Sequence, residues 1–171
     1  MNKNDKLKST ISTIIMIIAS FFIIGLLHDI SKAIIGVICN GTLRFDHGIK
    51  VSNAHYGSIT YPINLLIGII IPILFLFILV LIFNNSLRNG VYHKFTLIFF
   101  ICSVLSISIY LIFYPLILTF TNLGLHTELD DLIKTTGISP LIIIIIAILI
   151  VSLLVKLAAK KRLFRHMKGT N

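Results

Sequence analysis

Two short stretches of this chain hold the residue types that do chemistry. In GLLHDISKAIIG, the side chains of His28, Asp29 and Lys32 interrupt an oily run. In NLGLHTELDDLIKTTG, His126, Glu128, Asp130 and Asp131 gather in a net acidic segment. Imidazoles and carboxylates can hold a metal ion, and a further carboxylate can serve as general base toward a metal-bound water. A lysine ammonium does neither and brings only a fixed positive charge. Ionised groups near the centre of an inserted helix cost about 2.5–3.5 kcal/mol each on insertion scales, and they usually mark function.

The elements that must position these groups are membrane helices. The chain is 57% hydrophobic and only 12% charged over 171 residues, against about 25% charged in soluble domains. Four apolar runs exceed the roughly 20 residues needed to cross a hydrocarbon layer. They are Ile11–Ile38, Pro62–Phe83, Phe95–Phe120 and Ile138–Ala158. The expectation is an all-α membrane protein of four transmembrane helices, forming one domain over residues 1–171, with a small β-hairpin or sheet after the first span. The basic start and first apolar run resemble a signal peptide. That run outlasts a signal core of ~7–15 residues and lacks a small-residue cleavage site, so it is expected to remain as a span.

The net charge of +9 does not point to nucleic acid, because no aromatic-basic motif accompanies it. Lys3, Lys6 and Lys8 lie at one end, and Lys156, Lys160, Lys161, Arg162, Arg165 and Lys168 at the other. Basic tails beside apolar spans read as cytoplasmic anchors that touch anionic lipid. The expected setting is the plasma membrane, with both termini cytoplasmic. Arg44 and Lys50 in the first loop go against that charge rule. Within this loop TLRFDHGIKVS alternates around His47-Gly48, which predicts a hairpin with glycine at the turn. GSITYP is expected to add a third strand before Pro62. Cys39 and Cys102 read as structural thiols, and His47, His55 and His93 as loop or interface residues.

On a helix His28 and Lys32 share one face, with Asp29 beside them. If the N-terminus is inside, this cluster and the acidic loop lie at the same outer level. This arrangement resembles the site-2-protease-like intramembrane zinc metalloproteases. Their His-Glu-x-x-His helix is followed by a small sheet, then by an Asn-x-x-Pro-x-x-x-Leu-Asp-Gly segment. Here HDISK stands at the first motif, the hairpin follows, and NLGLHTELDD stands at the second. Asn122, Leu129 and Asp130 match it in type and spacing. INLLIGIIIPIL in the second span is similar to the Gly-Pro-Asn-rich helix of such proteins.

The resemblance implies His28 and Asp130 as metal ligands, Asp29 as general base, and His126 as a substitute ligand. The departures are as informative. Asp29 is one methylene shorter than the usual glutamate. Lys32 stands where the second histidine belongs and would repel zinc. Lys32 is expected to take the place of the metal's charge, pairing with Asp29 and Asp130 in a polar network that includes Asp131 and Asn122. The leading expectation is therefore a pseudoprotease or membrane scaffold with no cofactor, embedded in lipid and binding a membrane-protein partner. An active protease would require zinc, and a small transport-associated subunit is a third alternative. Without any site, the same groups would form an interhelical polar network. Thr127 would then simply cap a surface helix that ends at Gly137, with Glu128 and Asp130 favouring the positive end of its dipole, and Tyr110, Tyr114 and Pro115 would mark a kink or an aromatic interface anchor.

Overall fold

The computed structural model describes residues 3–45, 48–83, 90–121 and 127–164. In chain order the elements are α1 (Lys3–Ile38), β1 (Thr42–Phe45), β2 (Ile49–Ser52), α2 (Thr60–Ile82) and α3 (Gly90–Ser108). A π-helical turn (Ile109–Phe113) joins α3 to α4 (Tyr114–Thr121), and α5 (Glu128–Thr136) and α6 (Pro140–Lys160) follow. Among the described residues four helices are long and apolar enough to cross a membrane: Leu7–Ile38, Thr60–Ile82, Gly90–Thr121 and Pro140–Lys160. The protein is an all-α membrane protein of four spans, with a small antiparallel sheet after the first. Outward-facing Ile142, Ile145, Ile146 and Leu149 on α6 are half exposed or more, as expected of side chains that meet lipid.

The hairpin forms as expected, with Thr42 opposite Ser52 and Phe45 opposite Ile49. Gly48 takes φ +141°, a conformation that L side chains resist. The third strand does not form. Among the described residues the sheet has two strands, and Thr60 and Pro62 begin α2 instead. The physical reason is that N–H groups in a first helical turn have no intrahelical partner, so Pro62 loses nothing there. The third span reaches back past Phe95 to Gly90, which draws His93 into a helix. That histidine is buried with its ring 5.3 Å from that of Phe83, not in a loop.

Two clusters of side chains close the bundle. One end holds Leu76, Val80, Phe83, Phe99, Phe100, Leu154, Ala158 and Leu163, all nearly inaccessible. The Lys94 ammonium donates to the Ser9 carbonyl at 3.3 Å, and the Phe100 and Phe164 rings meet edge to face. The start of α1 and the chain beyond α6 therefore share that end. At the opposite end Leu65, Leu111, Tyr114, Leu129, Leu132 and Ala147 form a second cluster under α5. Pro115 has no N–H for the Leu111 carbonyl. The π turn around Leu111 absorbs this break in register.

Candidate functional site

Short-range rules build α5. The Thr127 hydroxyl accepts from the Asp130 N–H at 3.4 Å, and Gly137 ends the helix in the left-handed region at φ 68°. Tyr110, projecting from the π turn, packs against the cluster that holds Leu129 and Leu132 of α5. The hydroxyl cap and the tyrosine together hold the N-terminus of a nine-residue helix against the bundle. Its first-turn carboxylates also suit the positive end of the helix dipole.

Glu128, at the first position of α5, is thereby brought against α1. Its Oε2 lies 3.0 Å from His28 Nε2, and its Oε1 accepts from the Lys32 ammonium. The other ring nitrogen, His28 Nδ1, is 3.2 Å from Asp29 Oδ1. A carboxylate only accepts, so a ring with a carboxylate at each nitrogen is the imidazolium form, donating twice. Two cations and two anions then balance in one compact cluster. Hydrogen bonding from His28 outweighs partial burial and, with help from Lys32, lowers the Glu128 carboxyl from 4.5 to about 2. Close packing fixes the spacing: a methyl added at Gly68 of α2 would lie 3.0 Å from the His28 ring and from the Lys32 side chain.

The other expected residues are placed differently. Asp130 is buried, and its Oδ2 is 3.6 Å from Lys134 Nζ on its own helix. The carboxylate that meets Lys32 is that of Glu128, where Asp29 and Asp130 were expected. Asp29 pairs with His28 instead. Asp131 accepts from the Tyr61 hydroxyl at 3.1 Å. Asn122 and His126 lie outside the described residues. Two participants escape the sequence reading. Glu128 looks there like a dipole-compensating residue, although a side chain at the first helical position projects off the end of the helix. Asn64 is the second. It is 5% exposed on α2, and its signal is a lone amide in the apolar INLLIGIIIPIL run.

The arrangement does not fit zinc. The metal would need lone pairs, and here His28 directs Nε2 at Glu128 while a lysine ammonium occupies the same carboxylate. Among the described residues no three His, Cys, Asp or Glu side chains are grouped to hold a metal ion. The fold and the site together define a four-span membrane bundle with an ion-paired polar end. Comparison with known proteins adds no relative: no family model, no curated protein and no solved structure matches this chain.

Proposed function

We propose that this chain is a zinc-free pseudoprotease of the site-2-protease-like kind, serving as a membrane scaffold for a membrane-protein partner. The observation that carries this reading is the Lys32–Glu128 ion pair, flanked by His28. It supplies a positive charge where a catalytic metal would sit, and it consumes the carboxylate nearest to that position. His28 and Lys32 keep the i,i+4 spacing of a two-ligand motif, and the hairpin follows them in the order that the resemblance implies. Elemental analysis of the purified protein tests the reading. Zinc far below one per chain is expected, and stoichiometric zinc in the unaltered chain would overturn it in favour of an active protease.

The proposed setting is the plasma membrane with both termini cytoplasmic, where Lys8, Lys156, Lys160 and Lys161 would meet anionic lipid. The shared bundle end of the two terminal segments supports a common side for them. Cysteines placed at Asn2 and Asn171 should label from the cytoplasm and one at Thr127 from the opposite face. Labelling of Asn2 and Thr127 from one side would overturn this orientation.

A further inference from the structure

Beside the ion-paired cluster lies a cavity of about 500 Å3, bounded by α1, β2, α2 and the start of α5. That volume is within the roughly 300–1,000 Å3 range of small-ligand sites. Its lining is not electrically settled. Lys32 and Glu128 satisfy each other, and Asp29 is engaged by His28. Three polar groups on the wall remain. Lys50 has no ion-pair partner among the described residues. The Asp131 carboxylate meets a neutral tyrosine hydroxyl and no described cation. Asn64 is more than nine-tenths buried, and its carbonyl oxygen has no hydrogen-bond partner among the described residues. Buried polar atoms are rarely left so, and this oxygen, with almost no accessible surface, would meet a donor in the cavity that Asn64 lines once its amide turns toward it.

These leftovers share one complement. A primary ammonium would give hydrogen bonds to the Asn64 carbonyl and charge to Asp131. An anionic group a few bonds away would meet Lys50. The cavity also lies at the ends of membrane spans, since Lys32 precedes the end of α1 at Ile38 and Tyr61 opens α2. Lipid headgroups occupy that level of a bilayer. We propose that the cavity binds the headgroup of a zwitterionic phospholipid carrying a primary ammonium, of the phosphatidylethanolamine kind. The rings of Tyr56 and Tyr61, 5.9 Å apart, would also accept a quaternary ammonium through their faces. Such a group has no N–H for Asn64, and this is what separates the two headgroups. The proposal rests on the zinc-free reading, because a metal would draw Glu128 and Asp29 away from the same wall.

Binding of dioctanoyl phosphatidylethanolamine, dioctanoyl phosphatidylcholine and O-phosphoethanolamine to the full chain in detergent, followed by native mass spectrometry, tests it. The ethanolamine lipid is expected to bind at least ~10-fold more tightly than the choline lipid, as expected for a hydrogen bond to a charged group. Lys50→Ser, on an exposed strand position, and Asn64→Leu should each weaken it by about tenfold. O-phosphoethanolamine binding as tightly as the short lipid would overturn the lipid source and make the ligand a soluble zwitterion of the same chemistry. Equal affinity for both lipids, or undiminished affinity in Lys50→Ser, would overturn the site itself. That failure with zinc still absent would leave the zinc-free reading standing, whereas stoichiometric zinc in the unaltered chain would remove both.

Discussion

The two ends of the bundle are made from the same four spans and are held together by different physics. At one end Leu76, Val80, Phe99 and Leu154 interlock with almost no accessible surface. At the other, helices α1 and α5 meet through His28, Lys32 and Glu128, next to a cavity. Lipid offers no hydrophobic drive for helices to associate, so the dry end depends on dispersion contacts that accumulate over many atoms. The polar end depends on a few strong contacts that are costly to break singly. The dry end can lose a methyl group and remain a bundle. The polar end loses its charge balance with one substitution.

That contrast can be broken first at the dry end. Leu76 is fully buried, and Leu76→Ala should cost about 2–5 kcal/mol through lost contacts and a residual cavity. Thermal melts in detergent should show this as the largest drop of the series, independent of pH. Next comes Lys32→Met. Removing one partner of a fully buried pair costs ~3–5 kcal/mol. Here the two side chains keep 24% and 34% of their surface, so about 2 kcal/mol is expected once solvent screening is counted. Adding Glu128→Gln to Lys32→Met should recover much of the loss, because the stranded charge is gone. A double-mutant cycle with no coupling would show that the pair does not hold α5 to α1.

Gly68→Ala should cost about 1 kcal/mol, since the new methyl pushes on the His28 ring and the Lys32 stem at once. Acid dependence probes the same cluster without a substitution in it. Glu128 titrates lower in the folded chain than in the unfolded one, so its contribution is present above pH 4.5 and fades as pH falls toward about 2. A melting temperature followed over that window should fall more steeply for the parent than for Glu128→Gln. Identical curves would remove Glu128 from the account.

The spans were legible because four long apolar runs fit only one solution in lipid, and their ends moved by five residues at most. The cap at Thr127, the stop at Gly137 and the hairpin around Gly48 were legible too, since local rules decide them. The false third strand at GSITYP came from treating Pro62 as a terminator, when the first turn of a helix accepts proline equally well. The partner of Lys32 was not legible. Choosing among Glu128, Asp130 and Asp131 depends on the rotation of α5 about its axis, which is set by Leu129 and Leu132 packing against Leu65, Leu111 and Ala147 of other helices. Asn64 was hidden for a related reason: one amide in a span says nothing of the cavity beside it.

The central claim is that the Lys32 ammonium stands in for a metal, and zinc-dependent melting of Lys32→His measures it most directly. That variant would set a second imidazole one helical turn from His28, with the Glu128 carboxylate already 3.0 Å from the first. Two histidines and a glutamate are a ligand set that zinc accepts. A ligand at ~100 times its Kd stabilises a fold by about 2.7 kcal/mol, so added zinc should raise the melting temperature of Lys32→His by several degrees and leave the parent unmoved. A parent that responds to zinc, or a Lys32→His variant indifferent to it, would contradict the account.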